Sequence, residues 1–222
     1  MPPMVSCIMP TRDRRPFVAR AVAQFLAQDY PDRELIVIDD GADRIGDLLP
    51  DDPRIRLLRA EQRLAVGAKR NLACAAARGD VVMHWDDDDW MAPWRVSYQV
   101  RELEARAAQV CGLSRLYFYD AHARRAWQYV YPDSGRGWVA GGTLCYRREV
   151  WQHHRFPDIN EGEDTRFVWN LRGIPIVALD DPAFYVATIH AGNTSRKRTQ
   201  ERRYQPVPAE TVEALMRREE AR

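Results

Sequence analysis

Two apolar runs in this chain end abruptly on adjacent aspartates, and that pattern restricts the fold more than any other feature. Leu35-Ile36-Val37-Ile38 stops at Asp39-Asp40-Gly41, and Val81-Val82-Met83-His84-Trp85 runs into Asp86-Asp87-Asp88-Asp89. Short apolar runs without polar alternation predict strands buried on both faces, as in parallel sheets. Val5-Ser6-Cys7-Ile8-Met9, closed by Pro10, and Ile55-Arg56-Leu57-Leu58 read the same way. Helical patterns lie between them. Pro16 suits a first helical turn, and Phe17, Ala21 and Phe25, with Val18, Val22 and Leu26, share one face at i, i+4, i+8 spacing. Residues 65–78 are rich in alanine and other helix formers, and Gly79 is the expected C-terminal stop. This alternation predicts an α/β fold, a parallel sheet with helices on both faces. Ligands of such sheets bind beyond the carboxyl ends of the strands, so the two acidic ends converge on one cleft.

The second half is less regular. Residues 116–131 are rich in aromatics and predict a hairpin. Gly141-Gly142 precedes a strand at Thr143 to Tyr146, and Arg148 to His153 reads as a short helix. Helical spacing continues from Asp164 to Arg172, followed by strands at Ile174 to Leu179 and Phe184 to Ile189. Residues 192–206 are polar and basic without periodicity, a mobile loop leading to a last helix striped by Val212, Leu215 and Met216. With no internal repeat and no Pro/Gly/Ser linker, residues 1–222 read as one domain. Its parts are a regular first half over about 1–90, a second half over about 91–190, and a basic loop with C-terminal helix over about 191–222.

A length of 222 residues, 45% hydrophobic and 29% charged, is that of an ordinary globular chain. The net charge of +1 gives no field that would gather nucleic acid. Cys7, Cys74, Cys111 and Cys145 form no C-x-x-C pair and read as buried thiols of a reducing cytoplasm. No run is long and apolar enough for a signal peptide or membrane span, so any membrane contact is expected to be peripheral.

The chemistry concentrates in a few constellations. Four adjacent carboxylates repel one another unless a cation or solvent relieves them. Mg²⁺, Mn²⁺ or Ca²⁺ would do so, completed by substrate phosphate and water, whereas the plainer reading is a solvated acidic turn. Asp39-Asp40 at a strand end can accept from base N–H or ribose hydroxyls, or cap a turn. Glu163-Asp164, after Gly162, is either a helix N-terminal pair or a general base for a hydroxyl. His190 at a strand end is either structural or a Mn²⁺ ligand. Arg196-Lys197-Arg198 is either a solvated stretch or a clamp on a diphosphate.

In order and spacing, four segments resemble family 2 inverting glycosyltransferases: Val5 to Arg14, Glu34 to Gly41, Gly67-Ala68-Lys69-Arg70-Asn71, and Asp86 to Asp89. The resemblance covers about residues 4–172. It implies the A-type glycosyltransferase (GT-A) fold, a Rossmann-like nucleotide-binding sheet (the half over about 1–90) merged with a smaller acceptor-binding half (about 91–190). It also implies transfer from a nucleoside-diphosphate sugar, UDP being the commonest base, to a hydroxyl acceptor with help from Mn²⁺ or Mg²⁺. By position, Thr11, Asp13 and Asp39 would hold base and ribose, and Arg70 and Asp86 would lie at the nucleotide. Asp88 would take the metal with His190 as a second ligand, and Arg196 and Lys197 would face the diphosphate. Glu163-Asp164 matches the catalytic pair, with Asp164 favoured as the base. The Gln-x-x-Arg-Trp motif of processive synthases is missing, which implies one sugar per encounter.

Two rivals are weaker. A nucleotidyltransferase making a sugar nucleotide needs a glycine- and lysine-rich phosphate loop, and Pro10 to Arg15 contains no glycine. A non-catalytic cation-binding module would alternate its aspartates with other ligands and a turn glycine, unlike this contiguous run.

Overall fold

The computed structural model describes residues 2–132 and 137–220, with side chains through Arg217. Strands β1 (Val5–Thr11), β2 (Arg33–Asp39), β3 (Ile55–Arg59) and β4 (Val81–His84) alternate with helices α1 (Arg15–Leu26) and α2 (Val66–Ala76). Then follow β5 (Trp90–Met91), α3 (Arg95–Ala105), β6 (Val110–Gly112), β7 (Arg115–Asp120), β8 (Arg125–Val130) and β9 (Cys145–Arg147). The chain ends with α4 (Arg148–His153), α5 (Glu163–Asn170), β10 (Ile176–Ala178), β11 (Tyr185–Thr188), β12 (Tyr204–Val207) and α6 (Ala209–Glu220).

One sheet has the order β10-β6-β9-β4-β1-β2-β3 and is parallel except for β9, which runs against both neighbours. Its middle strands are apolar on both faces because both faces are covered, as the uninterrupted runs require. Thr11 stands opposite Asp39 in register, and Ile8 opposite His84, so the ends of β1, β2 and β4 lie together. Pro10 does not close β1. It sits inside the strand beyond the last residue paired with β4, where one flank has no ladder to break.

A second sheet, β12-β8-β7-β11-β5, packs through the same apolar cluster and goes beyond the expected hairpin. Its β12 falls inside the stretch read as a loop. Tyr204 to Val207 pairs antiparallel with β8 at the edge of this sheet and so anchors the far end of the basic segment before it.

Two local differences have clear causes. The core face of α1 is Val18, Ala21, Val22 and Phe25, whereas Phe17 leaves the core and stacks on the His190 ring at 4.6 Å. Helix α2 ends at Ala76, before Gly79, and Gly79 is not its cap. Gly79 lies where its N–H donates to Ser6 Oγ at 2.9 Å and an added Cβ would sit 2.6 Å from Met4 O. The residue is needed for close approach to the start of β1.

Gly67 makes a second close approach, between α2 and the segment before α5. A Cβ there would overlap the Pro157 carbonyl oxygen and lie 3.0 Å from its carbon, and backbone cannot rotate aside. Gly67→Ala is therefore expected to destabilise the protein by about 1–3 kcal/mol, read as a lower urea midpoint at unchanged slope. An unchanged midpoint would show that this packing gives way freely.

Buried Arg95 links the two halves. Its guanidinium donates to His84 O at 2.9 Å, Gly142 O at 2.8 Å and Gln99 Oε1 at 3.0 Å, and lies against the rings of Trp85 and Tyr185. These bonds fix the Gly141-Gly142 turn against the end of β4.

Candidate active site

A cavity of about 1080 Å³ opens at the carboxyl ends of β1 and β4 and extends to the second sheet. The four aspartates do not form a solvated turn: Asp87, Asp88 and Asp89 are 2%, 7% and 6% exposed. Helix α1 holds the run's backbone, with Arg20 donating to Asp88 O at 2.6 Å and Gln24 to Asp89 O at 3.3 Å.

The run has two alternating roles. Asp87 and Asp89 are anchors. Asp87 accepts from Thr11 Oγ1 at 2.6 Å and Arg14 Nη1 at 2.8 Å. Burial pushes its carboxyl up to about 6, although Arg14 opposes the shift. Asp89 accepts from the Tyr185 hydroxyl and from Thr188 N, at 2.8 Å for the latter, which ties the run to β11. Burial, with Asp88 and Asp86 alongside, pushes its carboxyl well up.

All four line the cavity, and Asp86 and Asp88 bond there to groups of the other elements around it. Asp86 Oδ1 pairs with Arg70 Nη2 at 3.2 Å. Asp88 Oδ2 is a junction that takes Arg14 Nη1 at 2.6 Å, His190 Nε2 at 2.9 Å and Asn193 Nδ2 at 3.3 Å. Burial works against the charged form of Asp88, yet Arg14 and His190 outweigh it and hold the carboxyl below its usual range.

Arg70 connects these aspartates to α5. Its Nε donates to Glu163 Oε1 at 3.1 Å, and the guanidinium is buried between Glu163 and Asp86. Glu163 is 5% exposed, and burial raises its carboxyl despite Arg70. Asp164 is half-buried and lines the cavity. It approaches Gly141 so closely that any Cβ there would overlap its carboxylate, while a Cβ on Gly142 would lie 2.8 Å from Asp86 Oδ2. The glycine pair thus lets Asp164 pack on Gly141, and the Tyr185 hydroxyl and Asp86 on Gly142, along one stretch of bare backbone.

The other expected residues divide. Thr11 and Asp13 line the cavity, Asp13 with φ of 51° and its Oδ1 accepting from Asp43 N at 3.0 Å. Arg196 and Lys197 line it too, Lys197 lying 5.8 Å from the Phe118 ring centroid. Asp39 lies beneath the cavity and not on its wall. It is 1% exposed, and its oxygens are taken by Gly41 N at 2.9 Å and Arg59 Nη1 at 2.5 Å. Asp40 is held by Lys69, which also donates to Thr11 O.

Sequence reasoning assigned no role to Arg14, Lys69 or Trp138. Lys69, inside a helical pattern, carried no signal of its reach to Asp40. Arg14 stands in the motif after β1, where a cation beside an acidic strand end was the available clue.

The glycosyl transferase family 2 profile matches residues 6–157. The chain belongs to that family. This family 2 chain is 26% identical over 174 residues to the uncharacterized glycosyltransferase EpsJ of Bacillus subtilis, covering 76% of this chain and 46% of EpsJ. Its fold is that of S. aureus TarS 1–349 in complex with UDP-GlcNAc, at TM-score 0.68 and 20% identity, covering 86% of this chain and 60% of that one. It is also that of the mannosyltransferase PcManGT of Pyrobaculum calidifontis in complex with GDP-Man and Mn²⁺, at TM-score 0.67 and 18% identity, covering 89% and 59%. The architecture is the GT-A fold expected from the motifs. The chain spans about half of EpsJ and three fifths of these two structures. Among the described residues, no helix is long and apolar enough to cross a membrane.

Proposed function

We propose that this chain is one glycosyltransferase domain that moves a single sugar, with inversion, from a nucleoside-diphosphate sugar to a hydroxyl acceptor. The observation that carries this reading is that Asp164 and Asp86 pack on the adjacent glycines Gly141 and Gly142 and line one cavity, beside the buried acidic strand end. Such an arrangement sets a base next to the place where a diphosphate would be held.

The nucleoside would lie by Thr11 and Asp13, with the Asp39–Arg59 pair beneath it, and Asp86 with Arg70 would face the sugar-phosphate. UDP is the base we favour. Asp88 Oδ2 and His190 Nε2, hydrogen-bonded at 2.9 Å, are a hard oxygen and an imidazole nitrogen at the cavity, and Mn²⁺ or Mg²⁺ would take the place of the proton between them. No group of three such side chains occurs among the described residues, so phosphate and water would complete the shell. When bound, the ion supplies positive charge to the departing phosphate. Asp164 takes the acceptor's proton while its oxygen attacks the anomeric carbon from the face opposite the diphosphate. The bond from that carbon to phosphate oxygen breaks, and one displacement inverts the centre. Four buried free thiols fit a cytoplasmic protein.

Donor hydrolysis across UDP-, GDP- and dTDP-sugars, each with Mn²⁺ and Mg²⁺, tests the reading. Cleavage of at least one donor, dependent on metal, is expected; no cleavage of any would overturn it.

The segment from Gly192 to Arg203 is read as a lid over the diphosphate. Its root is tied to the site, since Arg14 donates to Gly192 O and Asn193 Nδ2 reaches Asp88, and its far end enters β12. Limited trypsin digestion should therefore slow at Arg196, Lys197 and Arg198 when UDP and Mn²⁺ are added, and Arg196→Ala should weaken the effect of ligand on the remaining sites. Equal rates with and without ligand would leave the segment a permanent linker.

A further inference from the structure

The end of the cavity away from the aspartates is an aromatic wall. Trp138 stacks on Tyr131 at 4.7 Å and packs with Tyr129 at 5.6 Å, and Tyr204 lies 5.0 Å from Tyr129 and 5.3 Å from Phe118. Trp138, Tyr129, Phe118 and Tyr204 all line the cavity. The wall is not purely apolar. The Tyr129 hydroxyl accepts from Arg203 at 3.3 Å, and Lys197 stands over Phe118 with no carboxylate partner among the described residues.

This wall adjoins the proposed base. Trp138 Nε1 donates to Thr165 Oγ1 at 3.1 Å, and Thr165 N donates to Asp164 Oδ1 at 2.6 Å. A molecule lying on Trp138 therefore has its edge beside Asp164. Phe118 and Tyr129 are buried, and half-buried Trp138 and Tyr204 give the wall its accessible aromatic surface; with polar rims it matches a pyranose, whose C–H face is apolar and whose equatorial hydroxyls point outward. A long acyl or prenyl chain would gain nothing from the hydroxyl and cations, whereas an anion would gain from the unpaired ammonium.

Resting on the glycosyltransferase reading, we propose that the acceptor is a pyranose bearing an anionic group, its ring on the Trp138 wall and its carboxylate or phosphate beside Lys197. Lys197 then belongs to the acceptor, and Arg196 remains with the donor.

Saturation-transfer NMR on the full chain with UDP and Mg²⁺ tests this, using methyl β-glucuronide, glucose 6-phosphate and methyl β-glucoside as probes. Transfer is expected to be strongest on ring protons of an anionic sugar, and the stronger of the two distinguishes carboxylate from phosphate. Trp138→Ala should weaken binding about tenfold or more, with Trp138→Tyr restoring most of it. Lys197→Ala should bring the anionic sugars to the level of methyl β-glucoside. Calorimetry of UDP on each variant shows that its donor half is folded. If UDP binds but no sugar shows transfer, or methyl β-glucoside binds as well as the anionic sugars, the acceptor class is overturned. If wild-type protein does not bind UDP, GDP or dTDP, the donor reading fails and takes this proposal with it.

Discussion

Asp164→Asn should lower kcat by about 10²- to 10⁴-fold while nucleotide affinity stays nearly unchanged. The substitution keeps the shape of the side chain and an oxygen able to accept from Thr165 N, as Asp164 Oδ1 now does at 2.6 Å. Only the capacity to take a proton is lost. That capacity is used in the transition state and contributes nothing to holding the donor, so the loss falls on turnover. Glu163 differs in kind, being buried and bonded to Arg70, which also holds Asp86. Glu163→Gln should lower stability by leaving part of Arg70's buried charge uncompensated. Turnover and thermal unfolding, measured on both variants, separate the roles. An active Asp164→Asn beside a folded but inactive Glu163→Gln would reverse the assignment, and two active variants would place the base elsewhere.

The second large effect is expected at Asp88. Wild-type protein should bind UDP more tightly with Mn²⁺ than without, and Asp88→Ala should abolish that gain. Loss of groups that merely orient a metal ligand costs about 10- to 100-fold in metal affinity, so loss of the ligand itself should cost at least as much. His190→Ala should reduce the gain less, because Asp88 remains. Asp88→Ala also leaves Arg14 with Asp87 as its one carboxylate partner and His190 Nε2 without Asp88, so unfolding must be followed beside calorimetry. Equal UDP affinity in both proteins, with and without Mn²⁺, would overturn the metal assignment.

Much of this organisation is legible along the chain, for a physical reason. A strand buried on both faces must be apolar throughout, and the place where it meets solvent and ligand is marked by an abrupt change to charge. Hence β1, β2 and β4 and the acidic ends of β2 and β4 stand out in the sequence, as does the opening of α5 at Glu163-Asp164. The second sheet does not. Its parallel pairing joins Val186 to Tyr117, and β12 joins Tyr204 to Tyr129, in strands of four to six residues too short to show a period. Phe17 shows another limit. It shares the helical spacing of the core residues, and only the position of His190, far along the chain, draws its ring out of the core. The same holds for Asp39, whose pairing with Arg59 depends on strand register.

The alternation within Asp86 to Asp89 also bears on how such a run should be weighed when chains are compared. Four identical letters suggest interchangeable copies of one function, and losing one of four suggests a partial loss. Beyond the end of β4 the chain turns at Asp87-Asp88, so neighbouring carboxylates meet different partners and the letters belong to two vocabularies. Asp86 and Asp88 are the pair proposed to address a ligand, while Asp87 and Asp89, on the same cavity wall, are held by Thr11, Tyr185 and Thr188. A relative that keeps the first pair and replaces the second has changed its masonry and not its chemistry, and a count of matching aspartates does not tell the two apart.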